Sequence, residues 1–453
     1  MEKAKDLQIQ EMKAPRLVMF PLPFQGHINP MLQLATLLNS KGFSITIIHT
    51  HFNSPNPSHF PNFHFESILD GLSDDQALDP ITLISILNDT CQEPFQDCLS
   101  RLLSNGPDPP IKCIITDTVF HFTQAVADQL GLPRIVLRAN GATTATATYK
   151  LLREKGYFSM KDQRLDSLVP EFPPLRVRDL PSFSTADLEM VYQLSIKMEN
   201  AIKASSGFLV NTFNDLEPIE LEKLRRDYHL VQIFTIGPLN KFSPGSSNSL
   251  LTQDHSCMAW LDKQAPRSVI YVSFGSLASI SKTDLVEIAC GLANSDQPFL
   301  WVVRPGSIHG HDWVELPEGF EEKTRERGKI VKWAPQQEVL AHPSVGGFWT
   351  HNGWNSTLES ICEGVPMLCC PYLWDQKANA RYVSHLWRVG VQLENGFERD
   401  EIEWAIRRLM VDTEGEKMRE RISGLQEKAM NCIRKGGSSY ESLESVVDLI
   451  MSF

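Results

Sequence analysis

Two hydrophobic rhythms alternate along the chain. Short runs that are apolar almost throughout recur at strand length, and between them lie longer stretches with the spacing of an amphipathic helix. RLVMFPLP and SITIIHT are the first two strand-like runs. A helix is predicted between them from about Asn29, with Pro30 at its first position and Gly42 at its stop. KCIITD (Lys112 to Asp117), a helix ending near Gly131, and PRIVLRA follow. A less regular stretch carries Pro170, Pro173, Pro174 and Pro181, and then come GFLVN and VQIFTIGP. NKFSPGSSNSLL, Asn240 to Leu251, is polar and turn-rich and reads as a linker. Beyond it the alternation restarts with SVIYVSFG, FLWVVRP, KIVKW, VGGFWTH and VPMLCCPY.

Strands buried on both faces and separated by helices mean parallel sheets under two helical layers. The chain therefore reads as α/β, with two doubly wound, Rossmann-like domains at 1–240 and 252–435. Residues 241–251 join them, and a last helix, about Ser438 to Phe453 within 436–453, can pack back on the N-terminal domain or elsewhere. A length of 453 residues fits two domains.

Composition narrows the function. The net charge of −12 argues against a nucleic-acid partner, which needs a basic surface. An anionic ligand must then be held by local donors. The nine cysteines are scattered with no C-x-x-C pair, which suits reduced thiols, and Cys369 and Cys370 fall in an apolar strand run and read as core. MEKAKDLQIQEMK has no signal-peptide character, and no apolar run approaches the roughly 18 residues of a membrane helix. A cytoplasmic protein is expected.

In open parallel sheets ligands bind beyond the carboxyl ends of the strands. The first strand is followed by PLPFQGHINP, with Gly26 as its one glycine, and the second domain's first strand ends in SFGSLAS. Neither is a G-x-G-x-x-G loop, and G-x-x-x-x-G-K-[ST] is absent, so nicotinamide-dinucleotide binding and P-loop ATP hydrolysis recede. His309 and His311 share a loop without a clear third ligand, and no metal site is expected.

The densest stretch runs from Trp333 to Gln376: WAPQQEVLAHPSVGGFWTHNGWNSTLESICEGVPMLCCPYLWDQ. A strand ends at His351, NGW turns, and a helix begins near NSTLES. The unpaired amides and positive dipole of that helix start form an anion site beside Ser356, Asn355 and His351. Ser356 and Glu359 equally fit a capping box, S-T-L-E. Glu359 could instead accept from two vicinal hydroxyls. Trp333 could stack on a flat base or sit in the core. Asp375 and Gln376 suit sugar hydroxyls, or simply start the next helix.

This block resembles the signature of the plant family 1 UDP-sugar-dependent glycosyltransferases. PFQGHINPMLQLA, YVSFGS, FLWVVRP, NARYVS and GGSSYESLES extend the likeness over nearly the whole chain. The subgroup that glucosylates steviol glycosides and plant hormones is similar to it. The resemblance implies a GT-B fold and a UDP-glucose donor, with no cofactor or metal. It implies Trp333 on the uracil, the Ala334 backbone on the base edge, and Gln336 and Glu359 on the ribose. His351, Asn355, Ser356 and Ser276 would contact the diphosphate, and Trp354, Asp375 and Gln376 the sugar. A final Gln goes with glucose in this family, where His goes with galactose. Asn352 stands where many members have Cys, a change expected to leave the chemistry alone.

The same resemblance makes His27 the catalytic base, and elementary chemistry agrees. An imidazole titrates near working pH. Asp117 ends a strand of the same domain and can fix its tautomer, as the acid member of a triad does, although Asp117 alone would read as a helix cap. One base without a protein nucleophile implies single displacement with inversion and a β-glucoside product. Phe24, Phe120 and Phe122 suggest an apolar acceptor pocket, or else core, and Trp374 is expected to shape the acceptor side. The expected partners are UDP-glucose and a small molecule, on a monomer. Flavonoids, phenols, terpenoids, hormones and acids all remain open as acceptors. The rival readings are a sugar-nucleotide-binding protein without transfer activity and a UDP-sugar epimerase or hydrolase.

Overall fold

Leu17 and Met19 of the first strand belong to one apolar layer and Val18 and Phe20 to another, and all four are buried. That period of two, apolar on both sides, makes the strand central to a sheet covered on both faces. The computed structural model describes residues 14–72, 79–104, 110–144, 154–156, 164–181, 188–242, 249–308 and 316–453. His309 and His311 lie outside the described residues, as does most of the linker.

The first sheet has seven parallel strands: β1 (Arg16–Phe20), β2 (Ser44–Thr50), β3 (Phe63–Ile68), β4 (Ile111–Asp117), β5 (Arg134–Arg138), β6 (Gly207–Val210) and β7 (Ile233–Thr235). Their order is β3-β2-β1-β4-β5-β6-β7. The second sheet has six: β8 (Val269–Ser273), β9 (Phe299–Val302), β10 (Gly328–Val331), β11 (Val345–Thr350), β12 (Met367–Cys369) and β13 (Gly390–Gln392), ordered β10-β9-β8-β11-β12-β13. The architecture is α/β with two Rossmann-like sheets, the GT-B arrangement. In each sheet the strand order reverses beside the first strand, at β1/β4 and at β8/β11. Those two switch points are where a crevice opens beyond the strand ends.

Every strand expected from an apolar run is present. β3 and β13 were not expected. Both are edge strands: β3 is largely half-exposed, and β13 has three residues. An edge strand needs no continuous apolar run, so hydrophobicity does not reveal it.

The first helix spans Gln25–Ser40, a turn earlier than the predicted start at Asn29. Pro30 therefore lies inside it rather than at its first position, and His27 rides on its first turn. The Phe24 carbonyl accepts from the amides of His27 (2.8 Å) and Ile28 (2.9 Å), which starts the helix without a side-chain cap. The C-terminal helix, Ser438–Ser452, buries Leu443, Val446 and Ile450 in the same layer as Leu17 and Met19. Each such side chain contributes about 1.5–3 kcal/mol. The chain thus returns to its first sheet after building the second. Cys369 and Cys370 are core, and all nine thiols are free. Among the described residues no helix is long and apolar enough to cross a membrane.

Candidate active site

His27 and Asp117 meet at the first switch point. β1 pairs with β4, so the helix that follows β1 and the residue that ends β4 share one edge. His27 Nδ1 lies 2.7 Å from Asp117 Oδ2. Asp117 is fully buried, and its Oδ1 accepts from the Val119 amide at 3.0 Å, which fixes the carboxylate. Burial opposes protonation of His27. The charge and hydrogen bond of Asp117, with the charge of Asp375, outweigh burial and the repulsion of Arg138, and hold the imidazole above its ordinary pKa. With Nδ1 engaged, Nε2 is left to face a ligand.

The second switch point supplies the opposite wall. His351 follows β11 and lies between Gly275 and Gly353. A Cβ at either glycine would come within 2.6 Å of the ring. Burial pushes the His351 pKa down to about 4, so the ring is neutral at neutral pH. Its Nδ1 has no hydrogen-bond partner among the described residues. The helix Trp354–Glu363 starts after Gly353 with no side-chain cap, which leaves its first amides for a ligand. The capping-box alternative for Ser356 and Glu359 is therefore not what forms. Ser356 Oγ instead accepts from Gln336 Nε2 at 2.9 Å. The Glu359 carboxylate accepts from Gln336 at 2.7 Å and Gln337 at 3.0 Å. Burial raises the Glu359 pKa although those two amides act against it.

Asp375 is buried as well, and its Oδ2 accepts from Asn140 at 2.9 Å and Asn379 at 3.0 Å. Burial raises its pKa against the pull of both amides, Arg138 and His27. Gln376 Oε1 accepts from the amides of Tyr372 and Leu373, both at 2.9 Å. This bond closes a tight turn in which Trp374 takes a positive φ of 49°. Such a backbone costs a bulky residue about 1–3 kcal/mol. Trp333 Nε1 donates to Ser249 Oγ at 2.7 Å. Asn352 has φ 60°, which Asn tolerates better than Cys. It is buried and donates to Cys369 Sγ, away from the cleft.

Side chains also cross the cleft. A proline cannot donate to the carbonyl four residues back. Pro30 therefore leaves the Gly26 carbonyl free, and Asn355 Nδ2 of the opposite sheet's helix donates to it at 2.8 Å. Trp354 Nε1 donates to the Asn211 carbonyl at 2.7 Å. The amide of Asn355 and the indole of Trp354 thus join the two halves, while both residues still line the cleft.

Two cavities result. The larger, of about 1110 Å³ counting space open to solvent, is lined by Ser276, Trp333, Ala334, Gln336, His351, Trp354, Asn355, Ser356, Glu359, Asp375 and Gln376 from one side. From the other side come Phe24, His27 and Asn140. The smaller, of about 820 Å³, is mostly apolar, and Leu22, Ile81, Ile84, Val191, Leu194 and Met198 supply its greasy surface. Phe24, His27, Asn140, Trp374 and Asp375 line both cavities.

Two expected acceptor residues are misplaced. Phe120 stacks on Phe20 with centroids 4.4 Å apart, Phe122 packs on Phe95, and both are core. The turn after Asp117, closed by Phe120 N–H to the Asp117 carbonyl, folds both rings under the sheet, where they are removed from water. Their place in the pocket is taken by the helices Pro80–Thr90 and Leu188–Lys203, which the sequence reading had not assigned to the site. Val191, Leu194 and Met198 form an i, i+3, i+7 stripe that was visible in the sequence, but a stripe facing a cavity looks like a stripe facing core.

Comparison with known proteins identifies the family. Residues 36–427 match the family model described as UDP-glucoronosyl and UDP-glucosyl transferase. UDP-glycosyltransferase 76B1 of Arabidopsis thaliana is 50% identical over 443 residues, 97% of this chain and 98% of that one. UDP-glycosyltransferase 76G1 of Stevia rebaudiana is 47% identical over 450 residues, 96% and 97% of the two chains. The structure of Phytolacca americana UGT2 complexed with UDP-2fluoro-glucose and pterostilbene superposes with a TM-score of 0.82. It is 28% identical, covering 97% of this chain and 100% of that one. With two switch points facing one cleft and likeness along nearly its whole length, the chain belongs to the plant UDP-glycosyltransferase family and is an enzyme of that class.

Proposed function

We propose that the protein transfers glucose from UDP-glucose to a hydroxyl of a small apolar acceptor, inverting the anomeric carbon to give a β-glucoside. His27 acts as general base and Asp117 orients it. The acceptor O–H gives its proton to His27 Nε2. The oxygen forms a bond to C1 as the bond from C1 to the phosphate oxygen breaks, and UDP leaves with the electron pair. No protein nucleophile is required, so the displacement is single. Proton transfer of this kind is worth about 10²–10⁴ in rate.

In the larger cavity Trp333 stacks on uracil, the Ala334 backbone meets the base edge, and Gln336 and Glu359 take the ribose. The diphosphate lies on the helix start, with Ser276, Asn355, Ser356 and the neutral His351 as donors, and no metal is assigned a role. Each donor aimed at the developing charge can be worth about 2.7–4 kcal/mol. Trp354, Asp375 and Gln376 face the hexose.

The observation that supports this most is the shared wall. Molecules in the two cavities can meet along the wall formed by Phe24, His27, Asn140, Trp374 and Asp375. The test uses wild type and the His27→Ala variant with UDP-glucose and a panel of phenols and alcohols, read by mass spectrometry. Glucosides are expected from wild type and not from the variant, which should still bind UDP by calorimetry. Full activity in His27→Ala, or a wild type that only releases free glucose, overturns the proposal.

A further inference from the structure

The end of the linker, with the residues just after it, forms part of the larger cavity. Ser249 and Gln253 line that cavity together with Trp333. This short stretch holds Trp333 twice. The indole Nε1 donates to Ser249 Oγ at 2.7 Å, and the Trp333 carbonyl accepts from the Asp254 amide at 2.9 Å. Ser249 Oγ also donates to the Leu251 carbonyl at 2.6 Å and accepts from the Leu251 amide at 3.2 Å. A hydroxyl has one proton and two lone pairs, so these bonds use all of it. Ser249 has nothing left for a ligand, and what it offers the site passes through the indole.

The stretch is itself anchored in the other half of the molecule. The Leu250 amide donates to Gln25 Oε1 at 2.8 Å, and the Leu250 side chain packs on the layer that holds Leu17 and Met19. Gln25 opens the helix that carries His27 two residues later, and its Nε2 donates to Asn29 Oδ1 at 2.6 Å. Trp333 follows β10 of the second sheet. A strap pinned to the first half therefore sets a ring that belongs to the second.

Trp349 is the internal control. Its ring is buried in the core of the second sheet, and its Nε1 finds no partner among the described residues. Close packing on every side holds that ring without a hydrogen bond. Trp333 is half-buried, with core on one side and the cavity on the other. The outer torsion of an indole is broad, so packing on one side leaves the plane loosely set, and a bond at Nε1 fixes it. A ring that must be ordered when the ligand arrives costs affinity. We propose that Ser249 is a positioning residue of the donor site, which holds the plane of Trp333 ready for the base. This rests on the reading of Trp333 as the uracil platform.

The test is calorimetric titration with UDP, joined to steady-state kinetics on UDP-glucose with the best acceptor of the phenol and alcohol panel. Ser249→Ala should weaken UDP binding and raise the KM for UDP-glucose by about two- to tenfold, the worth of one neutral hydrogen bond, while kcat at saturating donor hardly moves. Ser249→Thr keeps the hydroxyl and should restore most of the affinity. The deciding arm is Trp333→Phe, a ring that stacks but has no N–H. In that background Ser249→Ala should weaken UDP no further, whereas a serine that only holds its own turn would add its loss to the first. An equal loss in Ser249→Thr, or losses that add in the Trp333→Phe background, would each overturn the inference. Should Trp333→Phe fail to fold, the alanine and threonine pair still decides. A wild type and a Ser249→Ala variant that bind UDP equally well sink this inference alone. A wild type that binds no UDP sinks the donor-site reading with it.

Discussion

Replacing Asp117 by Asn tests the catalytic pair with little change of shape. The amide oxygen can still accept from Val119 N–H, the bond that Oδ1 makes at 3.0 Å, so the turn after β4 should hold. The amide nitrogen then takes the position of Oδ2, 2.7 Å from His27 Nδ1. A donor there obliges Nδ1 to accept, and the ring proton moves to Nε2, the atom that must receive the acceptor's proton. Losing the charge-assisted bond removes about 1.5–3 kcal/mol of support for the imidazolium, or about 10- to 150-fold. The wrong tautomer removes most of the rest of general-base catalysis, so kcat should fall by about 10²–10⁴. The KM for UDP-glucose should hardly move, because Asp117 lies away from the donor-binding wall. The pH profile gives a second readout. A base works only when unprotonated, so activity falls as pH drops through the His27 pKa, which Asp117 and Asp375 hold above the ordinary value against burial. Without the Asp117 charge, burial dominates and the acid limb of kcat/KM should move to lower pH. The stabilisation from this raised pKa is complete below the unfolded value of about 6.5 and is lost as pH rises through the folded one. The assay is initial-rate glucoside formation from pH 5 to 9 under saturating donor. A kcat near wild type, or an acid limb that stays in place, would refute the reasoning.

Two further substitutions probe the join and the donor end. At Gly141→Ala the new Cβ would come within 2.8 Å of the Trp354 ring and 2.9 Å of Glu217 Oε1, wedging apart contacts between the halves. Overpacking of this kind costs about 1–3 kcal/mol, and a thermal melt should show a lower Tm; an unchanged Tm would mean that the halves are not held through Trp354. In Gln376→His the amides of Tyr372 and Leu373 lose their acceptor, at about 1–3 kcal/mol, and the turn carrying Trp374 loosens. The KM for UDP-glucose should rise in steady-state kinetics, and unaltered donor kinetics would show that this turn does not govern the sugar.

Much of the site was legible because its residues follow strands directly. His27, Asp117, Ser276 and His351 each lie at or just beyond a strand end, and in a parallel sheet those ends share one edge. The walls of the smaller cavity were not legible in that way. Ile81, Ile84, Val191 and Met198 come from helices whose apolar stripes carry no mark of what they face, and Phe120 and Phe122 were drawn to the core by the same hydrophobicity that suggested a pocket. Pro30 was recognised as a helix signal, but its effect, a Gly26 carbonyl left for Asn355, depends on a residue more than three hundred positions away.

By itself the sequence determined two parallel α/β sheets, the family, and a list of chemical groups placed near strand ends. Those follow from short-range rules: the period of two, the apolar runs and the local motif. Only the tertiary structure decided that the C-terminal helix returns to the first sheet and that the two cavities share a wall holding His27 and Asp375. Periodicity states that a face is apolar or that a donor exists. Which surface covers that face, and whether that donor finds a partner, is set by packing between segments far apart along the chain.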